Sequence, residues 1–367
     1  MRVPEIREYL KTCSTTTSVL LLGPPGVGKS IAVREFAVEE AGELGLEFID
    51  YNDSYFAEIM GSPERYYVFC DIRLTETEPS DLIGIPRDLD STVAYKPLTW
   101  ATVLSRVGHG LLFLDEITNV QRPDIISAAY KIVLERKAGF TKLSDGVRIV
   151  AAGNRPEESS VARMLPTPLT SRFHIVEVEP PKVEEWAEWM DKHYSDWDKR
   201  ILAYLTKFRE DFIAVPSEPE TLENYPTPRT WTSLAVEIAR TPEKFMREKI
   251  CGYVGKAVGG KLLAFLNSKV PDVEELLARP ELFRELPLDS QYLSIVLLGN
   301  HVERSEKVSM NSVMRFLEVV AEVQGDFIVL FLLAAGSKRK KVFGEIFKRR
   351  TKVWDCLKDV GYYSAIM

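Results

Sequence analysis

Cysteine is scarce in this chain, with four in 367 residues, at Cys13, Cys70, Cys251 and Cys356. They lie far apart and form no C-x-x-C pair, which argues against a disulfide framework or a zinc site and for reduced thiols inside a cell. No apolar run reaches membrane length; the longest, Phe327 to Ala335, is about half of what a crossing needs. The start, Met1-Arg2-Val3-Pro4-Glu5, lacks the apolar core of a secretory signal. A basic excess is missing too. The net charge of −7 and a pI near 5.5 argue against a dedicated nucleic-acid binder. No internal repeat or low-complexity tract is found. A cytoplasmic protein without membrane insertion is expected. At this length, with 45% apolar and 28% charged residues, it should have two or three domains with ample core.

What the chain does have is Val19-Leu20-Leu21-Leu22-Gly23-Pro24-Pro25-Gly26-Val27-Gly28-Lys29-Ser30-Ile31. An apolar run of strand length meets a Gly- and Pro-rich turn, and a helical pattern opens at Lys29. The spacing fits G-x-x-x-x-G-K-[ST], the phosphate-binding loop. Glycines let the backbone turn its N–H groups onto a phosphate, and the helix N-terminus adds positive charge. Lys29 is placed to reach the β- and γ-phosphates, and the Ser30 hydroxyl to ligate Mg²⁺. No Asn-Lys-x-Asp guanine signature is present, so ATP is the expected nucleotide.

Apolar strands are expected at 17–22, 66–74, 111–114, 147–152 and 174–178. The helical patterns between them, near 29–42, 98–107 and 122–136, predict a five-stranded parallel sheet covered on both faces. Residues 44–65 read as an irregular acidic and aromatic stretch, and Glu78–Pro86 as a turn-rich segment. Beyond Pro181 the pattern is helical only, from Glu184 to about Phe208, from Thr230 to Ala239, and in several further helices. One basic run, Lys338-Arg339-Lys340-Lys341 with Lys348-Arg349-Arg350, reads as a solvated helix face or as a docking surface for an acidic partner or nucleic acid.

The strand at 111–114 ends in Asp115-Glu116. Beside a phosphate loop, Asp115 would hold Mg²⁺, commonly through water, and Glu116 would polarise the attacking water as general base. The plainer alternative is that the two acids cap the next helix. Asn154, at the end of the following strand, is either a turn former or a ligand for the attacking water or the γ-phosphate. Arg172 and Arg229 are the candidate cations for the charge that develops during transfer, a role worth about 10³–10⁵ in turnover.

Together these segments resemble the AAA+ superfamily and, within it, the MoxR-like branch. The matching motifs are Gly23–Ser30 (Walker A), Leu111–Glu116 (Walker B), Asn154 in Ala-Gly-Asn-Arg-Pro-Glu (sensor 1), Leu165–Phe173 (arginine finger) and Pro226–Trp231 (sensor 2). The resemblance implies a P-loop core over 1–181, an all-α lid carrying sensor 2 over 182–264, and a C-terminal helical extension over 265–367. It also implies a homo-oligomeric ring, commonly a hexamer, in which Arg172 reaches the neighbour's site and Arg229 acts in its own subunit. Relatives remodel partner proteins using ATP and Mg²⁺, and many pair with a von Willebrand factor A-type domain protein. The family's pore insert would fall before Trp100. A nucleic-acid-dependent motor of the helicase or restriction type is the alternative. A small-molecule kinase is disfavoured by Glu116 and the paired arginines.

Overall fold

A computed structural model describes residues 1–159, 162–214 and 223–359. The chain divides into two compact units, Met1–Pro180 and Pro181–Met367.

In the first unit the strands are β1 (Val19–Leu22), β2 (Glu47–Asp50), β3 (Tyr66–Arg73), β4 (Ile85–Leu89), β5 (Thr92–Lys96), β6 (His109–Asp115), β7 (Lys137–Ala138), β8 (Thr141–Lys142), β9 (Val147–Gly153) and β10 (His174–Glu177). Six of them form one parallel sheet in the order β10-β1-β9-β6-β3-β2. Alternate residues of the central strands enter different layers. Val68, Cys70, Leu112, Leu114 and Ile149 join a core with helices Thr99–Arg106 and Pro123–Glu135, while Phe69 stacks on Phe113 at 6.3 Å. Residues buried on both sides are why these strands read as unbroken apolar runs.

Helix Lys29–Glu43 is tied to the sheet by charge as well as packing. Arg148 on β9 sits 2.8 Å from Glu40, with the two side chains 11% and 16% exposed. Glu40 also accepts from the Tyr67 hydroxyl at 2.6 Å, and Arg148 donates to the Cys13 carbonyl at 2.8 Å. Burial and the Glu40 carboxylate push the Tyr67 phenol well above its usual range.

The expected five strands are thus corrected to six. β2 lies inside the stretch read as irregular, because only Ile49 of its four residues is buried and no apolar run marks it. The expected turn-rich segment holds a short helix, Ser80–Ile83, in which Asp81 accepts from the Glu78 N–H at 2.9 Å. It then enters the antiparallel β4–β5 hairpin, exposed along its whole length, so the region before Trp100 is a hairpin. The helix expected from Glu184 to Phe208 is two helices, Val183–His193 and Arg200–Lys207. All four cysteines are free thiols. Among the described residues, no helix is long and apolar enough to cross a membrane.

The second unit is helical. One hydrophobic cluster runs from Val183 to Leu357 and takes in helices Pro228–Ile238, Leu288–Arg304, Met310–Val323 and the apolar Asp326–Ala334. Both segments proposed from sequence, 182–264 and 265–367, contribute to it. The same unit also buries a charge. Lys199, only 5% exposed, lies 2.6 Å from Glu303 and 3.2 Å from Asp191, and donates to the Ala334 carbonyl at 3.0 Å. Arg339 pairs with Glu188 at 2.7 Å and Asp191 at 3.4 Å, and Lys338 donates to the Ser305 carbonyl at 2.8 Å. Two members of the basic run are therefore structural, an assignment that only tertiary contacts supply.

Candidate active site

β1 ends at Leu22, between β10 and β9, neither of them its neighbour in sequence. Ligands of open parallel sheets bind at the carboxyl ends of strands, where the strand order reverses. The loop that follows depends on its glycines. A Cβ on Gly23 would lie 2.3 Å from the Val178 carbonyl oxygen, and Gly28 holds φ 106°, a region hostile to side chains. Gly28 is also the N-cap of helix Lys29–Glu43 and offers no side-chain cap, which leaves first-turn N–H groups for an anion. Lys29 is buried as a residue, and its ammonium donates to the carbonyls of Gly23 (2.7 Å) and Pro24 (2.8 Å) and to Asn154 Oδ1 (3.2 Å). Val27, a member of the loop, is buried, while Ile31 stands 48% exposed on the helix.

The carboxylates arrive from β6, which lies between β9 and β3. The Ser30 hydroxyl donates to Asp115 Oδ2 at 2.8 Å across 85 residues of sequence. The other carboxylate oxygen of Asp115 accepts from the Glu116 N–H at 2.8 Å. Glu116 adopts the left-handed conformation, φ 58° and ψ 31°, uncommon outside glycine and concentrated at functional sites. Its carboxylate accepts from the Thr75 hydroxyl at 2.8 Å and lies 4.0 Å from Arg73 Nε. Neither Thr75 nor Arg73 was singled out by sequence. The register Arg73↔Asp115 brings them there, and strand order is the information that would have found them.

Asn154 follows β9, whose Gly153 carbonyl accepts from the Gly23 N–H at 3.3 Å. The Asn154 N–H donates to the buried Thr118 hydroxyl at 2.8 Å. The helix-capping alternative for Asp115 and Glu116 is not what the contacts serve, since Asp115 binds the loop serine. Gly23–Ser30, Asp115, Glu116 and Asn154 thus share one end of the sheet. Glycine-shaped backbone, an uncapped helix N-terminus and an ammonium suit a triphosphate, and a hydroxyl–carboxylate pair is a hard-oxygen donor set suited to Mg²⁺.

Arg172 lies elsewhere in the first unit. Arg172 is exposed, and its side chain makes no ion pair or hydrogen bond among the described residues. It sits two residues before His174, which pairs with Val19 at the start of β1, whereas the phosphate loop leaves the far end of that strand. Arg229 belongs to the second unit, in the first turn of helix Pro228–Ile238. Thr227 caps that helix through a reciprocal pair of bonds with Thr230. Arg229 is exposed, and its side chain too makes no hydrogen bond or ion pair among the described residues.

Residues 19–180 match the model of the ATPase family associated with various cellular activities (AAA). Among solved structures, the FIGL-1 AAA domain in complex with ADP is similar at 13% identity and a TM-score of 0.35, over 78% of this chain and 84% of that one. No curated protein matches the sequence.

Proposed function

With an AAA domain over residues 19–180 as premise, we propose that this chain is a MoxR-like AAA+ ATPase. It assembles into a homo-oligomeric ring and couples ATP binding and hydrolysis to remodelling or assembly of a partner protein. The observation that carries the reading is the 2.8 Å bond between Ser30 and Asp115 beside the loop.

In this reading the loop from Gly23 through Pro24, Pro25, Gly26, Val27 and Gly28 wraps the phosphates, with Ile31 in the helix turn behind it. Lys29 exchanges the carbonyls of Gly23 and Pro24 for phosphate oxygens. Ser30 and Asp115 would hold Mg²⁺, which would supply charge neutralisation to the triphosphate. Glu116 takes a proton from the attacking water as its oxygen bonds to the γ-phosphorus and the bond to ADP breaks. Asn154 orients the water or the γ-phosphate. Glu116 must leave the Thr75 hydroxyl, or share it, to do so. Arg172 serves the neighbouring subunit's site, which its place at the opposite end of its own strands supports, and Arg229 serves its own.

A von Willebrand factor A-type protein is the partner class that the resemblance points to. In the basic run, Lys338 and Arg339 are engaged within the fold, which leaves Lys340, Lys341, Lys348, Arg349 and Arg350 exposed for the alternative, a nucleic-acid motor. Glu116→Gln tests the chemistry. It should bind ATP and Mg²⁺ yet lose about 10²–10⁴ in turnover, the usual worth of a general base, and normal turnover would remove Glu116 from the role. The same variant with ATP, used as affinity bait and read by mass spectrometry, should retain the partner.

A further inference from the structure

The span Met246–Leu266 is not one straight helix. At Gly255 the backbone leaves the helical region, with φ 76° and ψ 167°, a conformation open essentially to glycine. Past the break the chain folds back sharply. A Cβ on Gly259 would lie 2.9 Å from the Cys251 sulfur and 3.1 Å from its Cα, whereas residues eight apart in a straight helix are separated by about 12 Å along the axis.

A separate piece of chain, Glu223–Asn224, fills this corner. A Cβ on Gly255 would strike the Asn224 carbonyl oxygen at 2.7 Å. The Asn224 side-chain amide donates to the Gly252 carbonyl at 2.6 Å, within one turn of the break. Lys256, the first residue past it, pairs with Glu223 at 2.8 Å.

From there the chain runs directly into the helix that carries Arg229, with little slack. The Thr230 hydroxyl bonds back to the Tyr225 carbonyl at 3.3 Å, inside the Thr227–Thr230 cap. The far end of the same helix is tied to the same corner, because Glu237 accepts from Tyr253 at 2.6 Å and from Lys249. These contacts hold both ends of the helix that carries Arg229, while its own side chain is exposed without a partner among the described residues. It also stands at the positive end of a helix, where a cation is unfavourable and an anion is favoured.

We propose that Asn224, seated in the glycine corner, is a positioning residue for Arg229. It fixes the first turn of helix Pro228–Ile238 and hence the direction from which the guanidinium meets an anionic ligand. The proposal rests on the reading of Arg229 as a phosphate-facing arginine.

The test is a double-mutant cycle on the full chain, with steady-state ATPase and thermal unfolding measured for Asn224→Ala, Arg229→Ala and the pair. Asn224→Ala should lower kcat about tenfold, within the roughly 100-fold that a 1 Å misplacement can cost. The pair should turn over no more slowly than Arg229→Ala alone, since a residue that acts only through Arg229 has nothing left to position. Asn224→Asp, which keeps the shape and loses the donor, should behave like Asn224→Ala. Wild-type turnover in Asn224→Ala, or losses that multiply in the pair, would overturn the positioning role while leaving Arg229 in place. Unchanged turnover in Arg229→Ala would instead overturn the reading of Arg229, and the present inference with it.

Discussion

Arg172→Ala is the most demanding test of a shared site. His174 pairs with Val19 and Glu177 with Leu22. Three strand steps of about 3.3 Å therefore put Leu22, the last strand residue before the glycine loop, about 10 Å further along the sheet than His174, two residues beyond Arg172. Arg172 precedes its strand, on the side away from the loop. The side chain is exposed and unpaired among the described residues, so its removal should change stability by no more than about 0.5 kcal/mol while lowering turnover by about 10³ or more. Lys29→Ala should also be inactive, for the separate reason that it loses the phosphates. In a ring with head-to-tail interfaces, an equal random mixture of the two variants places an intact Lys29 opposite an intact Arg172 in about one quarter of the interfaces. ATPase measured across mixing ratios should rise from near zero to a maximum at the equal mixture, at about a quarter of wild-type turnover. A flat profile, with mixed assemblies verified by native mass spectrometry, would refute the shared site.

Ser30→Ala should bind ATP as wild type does in EDTA but fail to gain affinity on adding Mg²⁺. The loss should be at least the roughly tenfold seen when even an outer partner of a metal site is removed, read by fluorescence titration; equal gains would detach Ser30 from the metal. Arg148→Ala leaves the half-buried Glu40 carboxylate with the Tyr67 hydroxyl as its partner among the described residues, so urea unfolding should show a loss of about 1.5–3 kcal/mol, the scale of hydrogen bonds to a charge, whereas replacing both partners by apolar residues should cost less. A small loss for the single variant would mean that water reaches Glu40. Arg339→Ala should cost about 2 kcal/mol, the scale of hydrogen bonds to a charge, while Lys340→Ala stays within about 0.5 kcal/mol. Equal effects would return Arg339 to the solvated face.

Much of the first unit was legible because its signals are contiguous. A strand buried on both sides writes itself as an apolar run, and β1, β3, β6 and β9 were each found that way, whereas β10, an edge strand with only Val176 buried, was marked by its apolar residues Ile175, Val176 and Val178 ahead of Pro180-Pro181. β2 was missed because its two apolar residues, Phe48 and Ile49, sit between Glu47 and Asp50 in an otherwise irregular stretch. The β4–β5 hairpin was missed because its residues are all exposed and carry no alternation.

The Gly23–Ser30 loop and the acids at the end of β6 were marked by spacing within a few residues. Only the tertiary structure decided which groups those residues meet. Ser30 finds Asp115, Glu116 finds Thr75, and Lys29 finds Asn154 because strand order, which spacing does not encode, places β1, β9, β6 and β3 side by side. The same holds in the second unit, where Arg339 belongs to Glu188 and Asp191 rather than to solvent. There, too, a glycine in mid-helix marks a corner that receives Asn224. Local pattern names the chemistry; long-range packing assigns each group its partner, because the free energy of a buried charge depends on what lies beside it and not on its neighbours in the chain.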